Sequence, residues 1–343
     1  MPSLNVGSYI KQCIDSVTAQ TLKDIEIICV DAGSSDGTLE ILNEAAASDP
    51  RIRIVHSDIK SYGYQMNLGL GEASGEYIGI IETDDWAEPS MFENLYELAS
   101  ANAADAAKGS FWFYYSDPEK NTPFKLSGKF ATGMPFCPTE LASAGEMAEF
   151  FNIKPTIWSA IYRRSFLEEN DIRFNETPGA SYQDAGFNFK VWACAQKACL
   201  IQTPFLHYRQ DNEQSSVNSP SKVYCVCDEY REIERFVTEH FSDGKRQMLL
   251  NLMERLKYDS YVWNYERLVS PLEKEFAENA GAEFASDFEK GYASEEYFPQ
   301  FKWESLNLWK NDPAAFMAEM DKRKNRSFAA RAFDRIRRSL GGK

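Results

Sequence analysis

Positive charge is in short supply in this chain. Its 343 residues hold 37 Lys and Arg against 52 Asp and Glu, a formal net charge of −15. That balance argues against a general nucleic-acid binder, whose affinity comes from cations set against phosphates. No apolar run approaches the roughly 20 residues that span a bilayer. Cysteines are few and scattered: Cys13, Cys29, Cys137, Cys194 and Cys199 stand singly, and Cys225-Val-Cys227 has neither zinc-knuckle spacing nor histidines nearby. An odd count of seven, with no signal-peptide pattern, leads to the expectation of a reducing, cytoplasmic location. There is no internal repeat, no low-complexity linker and no Gly-rich basic phosphate loop near the N-terminus. What remains is 43% apolar and 14% aromatic, enough to build one large domain with an appendage, or two domains.

The first half alternates helical and strand patterns. Ile10, Cys13, Ile14 and Val17 recur at helical spacing, and Ile25 to Asp31 is a β-rich run that ends in the turn Ala32-Gly33-Ser34-Ser35-Asp36-Gly37. A helix is expected through Leu39, Ile41, Leu42 and Ala45, a strand over Ile52–His56, a helix over 64–73 and a strand over 76–81. Ser90 is placed to cap a helix through Met91, Leu95 and Leu98. Further on, Ile157 to Tyr162 reads as a strand, a short helix starts at Ser165, Tyr182 to Ala195 reads as a helix, and Leu200 to Tyr208 reads as a strand. From Lys222 the pattern is mostly helical, and the polar stretch Asp211 to Ser221 separates the two parts. Alternation of this kind predicts an α/β fold, a mostly parallel sheet with helices on both faces, with ligands bound beyond the carboxyl ends of the strands.

Two acidic features fall at that edge, Asp31 and the cluster Glu82-Thr83-Asp84-Asp85-Trp86. Adjacent carboxylates repel and raise one another's pKa. Mg2+ or Mn2+ removes that cost and leaves coordination positions for phosphate. The cluster therefore suggests a metal–diphosphate site; the competing reading is a solvated turn that caps the next helix.

Several ordered pieces resemble the family-2 inverting glycosyltransferases with a GT-A fold, from residue 1 to about 220. Ser16-Val17-Thr18-Ala19-Gln20-Thr21-Leu22 resembles the end of that family's first helix. Val30-Asp31-Ala32-Gly33-Ser34-Ser35-Asp36-Gly37 resembles its nucleotide loop, and Asn67-Leu68-Gly69-Leu70 its Asn-x-Gly-Leu helix. Ser74-Gly75-Glu76-Tyr77-Ile78 leads into the metal motif at Glu82 to Trp86, and Gln183-Asp184-Ala185-Gly186-Phe187 resembles the segment that carries the base. The resemblance implies a nucleotide-sugar donor, most often a UDP-sugar, and an acceptor hydroxyl on a glycan or lipid-linked glycan of a bacterial surface polysaccharide. It implies Asp85 and Asp84 at a Mn2+ or Mg2+ ion, Asp84 also at the donor's ribose, Asp31 and Asn67 at the nucleotide, and Asp184 as general base. For Asp184 the alternative is a helix-capping acid, for Asp31 an Asx turn, and for Asn67 a local cap.

The chain also departs from the family pattern. Met1-Pro2-Ser3-Leu4-Asn5 stands at the end of the family's first β-strand, so that strand is expected to be missing. Ala32 replaces a frequent second Asp, Met66 an Arg, Gln183 a Glu and Glu82 an Asp. The expected organisation is a transferase domain over 1–220, a helical region over 221–320 and a basic tail over 321–343. Lys322 to Lys343 holds nine Lys and Arg against Asp334 alone, with Phe333, Ile336 and Leu340 at helical spacing. This reads as an amphipathic helix suited to an anionic membrane at the inner face of the plasma membrane, or as a solvated tail, or as a helix docked on the acidic body. His207 and Arg209 follow the base; Arg209 suits either a phosphate or a structural ion pair, and His207, Trp158 and Trp192 read as core. The rival functions are a non-catalytic glycan- or partner-binding protein derived from a transferase, and a nucleotidyltransferase.

Overall fold

The β-branched run that ends at Asp31 forms a strand because its alternate side chains have an apolar layer on each face to enter. In the computed structural model, which describes residues 1–180, 182–212 and 222–324, it is β2 (Ile27–Asp31). It lies between β1 (Pro2–Ser3) and β3 (Ile52–His56), all parallel. Helices α1 (Ile10–Thr18), α2 (Thr38–Ser48) and α3 (Tyr62–Glu72) alternate with these strands. The buried residues of α1 are Ile10, Cys13, Ile14 and Val17, the stripe its sequence predicts.

The rest of the first unit is built on a second sheet. Its strands are β4 (Tyr77–Gly79), β5 (Trp86–Ala87), β6 (Ala106–Tyr114), β7 (Thr122–Pro123), β8 (Ala160–Arg163) and β9 (Ala198–Arg209), in the order β4-β8-β6-β9-β5 with β7 on β6. Here β6 and β9 are parallel, while β4–β8, β6–β8, β6–β7 and β5–β9 are antiparallel. Parallel pairing thus holds for β1–β3 and for the central pair, and the sheet as a whole is mixed. Helices α4 (Met91–Asn102), α5 (Ala144–Phe151), α6 (Arg164–Glu169), α7 (Gln183–Cys194) and α8 (Cys225–His240) complete the unit, which runs from Met1 to His240.

Some local expectations need correcting. Ile157–Ser159 is a 3-10 turn, and the strand begins only at Ala160. The buried ammonium of Lys108 causes this, because it draws Thr156 Oγ1 (2.6 Å) and Ser159 Oγ (2.8 Å) around itself and away from a ladder. Ser90 stands at the start of α4, but its side chain makes no capping bond. Where no first strand is expected, Pro2–Ser3 forms a two-residue strand in register with Val30 and Asp31. Residues 213–221 of the separating stretch, and the tail from 325, lie outside the described residues.

The second unit starts at Phe241. It contains α9 (Asp243–Arg267), α10 (Leu272–Glu289) and α11 (Gln300–Asn311), packed about Trp309, which is fully buried and stacks on Phe316 at 3.9 Å. Its Nε1 donates to the carbonyl of Ala277 at 2.9 Å. Buried Lys257 lies 2.5 Å from both Asp287 and Glu283. Nearby Glu254 is fully buried with neither carboxylate oxygen bonded, and burial raises its pKa well above the carboxylate range. Among the described residues no helix is long and apolar enough to cross a membrane.

Between β2 and β4 lies a cavity of about 470 Å³ whose lining includes Met1, Ile27, Ile28, Ile78, Ile80 and Phe92. β1 covers only the C-terminal end of β2, and β4 pairs with β8 on its other side. A chain carrying four or five added β-branched residues ahead of Met1 is therefore expected to extend β1 along β2 and gain about 2 kcal/mol or more from buried apolar surface. Coincident denaturation midpoints for the two forms would show that no strand enters there. In the second unit, Lys257→Met is expected to cost about 3 kcal/mol in urea unfolding, because it leaves buried Asp287 with only the more exposed Lys290 at 3.2 Å and leaves Glu283 with the Tyr261 hydroxyl but no cation.

Candidate active site

The acidic cluster falls between β4 and β5, where the chain leaves the sheet. Residues 82–85 are held on both sides. Thr83 Oγ1 donates to the carbonyl of Pro2 at 2.8 Å, and Cys13 Sγ lies 3.4 Å from the carbonyl of Glu82. The antiparallel register Trp86↔His207 then brings the end of β9 alongside. The Arg209 amide donates to Asp85 Oδ1 at 2.8 Å, and its Nε donates to the carbonyl of Asp84 at 2.9 Å. Asn212 Nδ2 donates to Asp84 Oδ2 at 2.9 Å. Asp85 is 1% exposed, and its Oδ2 is buried with no hydrogen-bond partner. Burial first, and then the charge of Asp84, push the Asp85 carboxyl well up from its ordinary value. Glu82 accepts a short hydrogen bond from the Tyr62 hydroxyl and is pushed up to about 7, mainly by burial. Among the described residues no group of three or more His, Cys, Asp or Glu side chains is placed to hold a metal ion. The residues that stand ready for one are the Asp84–Asp85 pair.

Asp184 opens α7, the helix that its sequence predicts. Tyr182, just before the helix, is left-handed at φ 68°, a conformation that costs energy for a side chain of this size. Gln183 is buried and donates to Thr177 Oγ1 (2.9 Å) and to the Gly179 carbonyl (3.1 Å), which ties the preceding loop to the helix start. Asp184 is half-buried, and desolvation pushes it up to about 6, against the lowering effects of the Ala185 and Asp184 amides and, more weakly, of Lys154. The two acidic groups act on the same pair of phenols. The Tyr208 hydroxyl feels the charges of Asp85, Asp184, Asp84 and Glu82, and Tyr62 feels both Glu82 and Asp184. Behind α7, Glu229 is 1% exposed; it accepts from Asn175 Nδ2 at 3.1 Å and is pushed up to about 9 by burial and by Asp184.

The other candidates are less directly placed. Asp31 is fully buried, and both of its oxygens are used within the loop: Ser3 Oγ (3.0 Å) and Ser34 Oγ (2.5 Å) donate to Oδ1, and the Gly33 and Ser34 amides (both 2.9 Å) donate to Oδ2. It shapes the loop as an Asx turn does. Gly33 and Gly37 supply the positive φ of 82° and 96° that the loop requires. Asn67 donates to the carbonyl of Phe174 and accepts from its amide, at 2.9 and 2.8 Å, so its bonds join α3 to the 172–176 segment. Arg209 is committed to Asp84 and Gln12 and packs over the Tyr9 and Tyr114 rings. His207 is stacked on Trp86 at 3.4 Å, with Nε2 2.7 Å from Glu88 Oε1, and Trp158 and Trp192 are core residues. Sequence reading missed Tyr62, Tyr208, Lys154 and Glu229. Each reaches the site only through tertiary packing, and no local motif marks it.

The profile described as Glycosyl transferase family 2 matches residues 1–192. The chain is 31% identical over 222 residues to the uncharacterized glycosyltransferase EpsJ of Bacillus subtilis (strain 168), covering 65% of this chain and 63% of that protein. It is likewise 31% identical over 218 residues to the glycosyltransferase GlyG of Streptococcus pneumoniae serotype 4, covering 61% of this chain and 69% of that one. The match to EpsJ thus spans less than two thirds of that relative's length. Among solved structures, the fold is similar to that in the crystal structure of S. aureus TarS 1-349. The TM-score is 0.71 at 18% identity, over 94% of this chain and 90% of that one, and it is 0.73 at 17% identity for the same protein in complex with UDP-GlcNAc. The likeness bears out the GT-A fold.

The charge on Asp184 has a stability consequence. Its folded pKa of about 6 lies above the unfolded value of about 3.9. Between these values the folded chain binds more protons, so stability falls as pH rises through the window, and the loss is complete above about pH 6. Asp184→Asn is expected to be more stable than wild type at neutral pH, by about 1–2 kcal/mol after allowance for partial exposure. The gain should vanish below about pH 4, which urea melts at several pH values can measure.

Proposed function

This chain belongs to the family-2 glycosyltransferases, and from that premise we propose that it moves a sugar, with inversion, from a nucleotide-sugar donor to a hydroxyl of a cell-surface glycan. The observation that carries the reading is that the Tyr62 hydroxyl is bonded to Glu82 of the cluster while Asp184 acts electrostatically on the same Tyr62 and on Tyr208. One acid is then placed to take a proton while the others serve the leaving group. The acceptor oxygen bonds to the anomeric carbon as the bond to the diphosphate breaks. The proton passes to Asp184, and the electron pair departs with the nucleoside diphosphate. The raised pKa suits the base, because a carboxylate of higher pKa accepts a proton more readily.

A divalent ion fits the other group. Asp85 Oδ2 is buried and unbonded, and burial, followed by crowding from Asp84, raises the pKa of Asp85. Asp85 and Asp84 would hold Mn2+ or Mg2+, which when bound neutralises charge that develops on the diphosphate. The Arg209 and Asn212 bonds fix the angles of these two carboxylates. The UDP and UDP-GlcNAc complexes of TarS support a UDP-sugar as donor. Asp31 would act through the loop it shapes. Asn67 would act through the 172–176 segment to which it is bonded, at one remove from the nucleotide. A lipid-linked acceptor of lipopolysaccharide, capsule or exopolysaccharide type, met at an anionic membrane through the basic tail, completes the proposal. The transferase part would end near 220, ahead of the helical region.

Calorimetry with UDP is expected to show binding that needs Mn2+ and is lost in Asp85→Ala; binding indifferent to both would remove the metal from the reading. Asp184→Asn is expected to keep donor binding and lose transfer by about 10²–10⁴-fold. Because the base must be ionised, kcat/KM should rise with pH through about 6 and then level off. A profile flat across that range would assign the proton to another group. Binding of nucleotide sugar without turnover to any acceptor would favour the non-catalytic reading.

A further inference from the structure

One cation near the base is unused by the chemistry above. Lys154 is exposed, and its ammonium lies over the rings of Tyr208 at 5.0 Å and Phe113 at 5.4 Å. Among the described residues it has no ion-pair partner within 4 Å, yet it interacts through space with Asp184. Its backbone is held in place. The carbonyl of Lys154 accepts from the Thr156 amide at 2.7 Å, and Thr156 is gripped in turn by the buried ammonium of Lys108. Tyr208, one of its two rings, is itself packed against Trp158 at 4.9 Å. A cation lying over two aromatic rings, within electrostatic reach of Asp184 and with no carboxylate within 4 Å, is a ready counter-charge for an anion. The setting makes the need plain. Glu82, Asp84, Asp85 and Asp184 face the same region of a chain whose net charge is −15, so an anionic acceptor would be repelled without such a group.

We infer that Lys154 is the anion-binding residue of the acceptor subsite, so that the acceptor carries a phosphate or carboxylate group close to the hydroxyl that Asp184 deprotonates. This rests on the glycosyl-transfer reading and adds to it the chemical class of the acceptor. The ammonium supplies up to three donors to the anion and keeps it on the Asp184 side of the site, where the aromatic rings exclude competing water from one face of the cation.

The test uses the full chain loaded with UDP-sugar and three ring-matched probes: glucose, glucose 6-phosphate and glucuronic acid. Each is scored by the concentration at which it alters UDP release, whether by accepting sugar or by competing. Wild type is expected to respond to one or both anionic probes at about tenfold lower concentration than to glucose, the scale of a single charge-assisted hydrogen bond. The phosphate and carboxylate arms tell which anion the subsite takes. In Lys154→Gln that preference should collapse toward one, while Lys154→Arg should retain it. Equal responses to the three probes, no response to any, or a preference that survives in Lys154→Gln would overturn the subsite. So would a change confined to the pH profile of UDP release, which would make Lys154 only a modulator of Asp184. UDP binding by each variant, read calorimetrically, certifies that it is folded. If wild type neither binds nor turns over a nucleotide sugar, the transfer reading itself falls, an outcome distinct from failure of the subsite.

Discussion

The parallel pairing of β6 with β9 is the constraint on which the site depends. It aligns Phe113 with Tyr208 and Tyr114 with Arg209, so the aromatic wall and the backbone that steadies Asp84 and Asp85 arise from one ladder. A slip of one residue would turn Tyr208 to the opposite face and carry the Arg209 amide away from Asp85. The register is secured within the sheet by bulges between Lys108 and Phe111 and by Lys108, whose ammonium is buried under the turn that follows Lys154. Structural and functional demands therefore meet in one strand pair.

Burial of like charge is the second organising cost. Glu82, Asp85, Asp184 and Glu229 are all held above their ordinary pKa, chiefly by desolvation. A fold gains nothing in stability from such an arrangement. It is tolerated because Tyr62, the Arg209 amide and Asn175 each satisfy one oxygen and leave others free. Those spare acceptors are where the energy of the unliganded protein is poorest and the chemistry of a bound cation or proton is most favourable.

Much of this was legible from residues alone. Ile52–His56 is a strand with the bounds its composition predicts, the apolar stripe of α1 is the one its spacing marks, and Asp184 stands in the first turn of a helix as its motif requires. What escaped did so for physical reasons. β6 is a long central strand, but Lys108 and Gly109 interrupt its apolar run. The lysine is acceptable there because three oxygens from a distant turn bond it, and the glycine because a Cβ would lie 2.6 Å from Phe205. The same turn breaks the strand expected at Ile157. Asp31 was legible as a loop-shaping residue, but which atoms it bonds depends on Ser3, 28 positions away in sequence. Lys154 carried no signal, since an isolated lysine gains meaning only from the rings beneath it.

One close approach behind Asp184 constrains how this sequence can vary. A Cβ added to Gly186 would come within 2.5 Å of Glu229 Oε2, two residues from Asp184 in the same helical turn. A side chain at 186 therefore requires the Glu229 carboxylate to swing aside, which would disturb the bond that its other oxygen accepts from Asn175. Because the charge of Asp184 acts on Glu229, a change at this glycine would be felt by a buried carboxyl on α8 and by the acid in the first turn of α7 together.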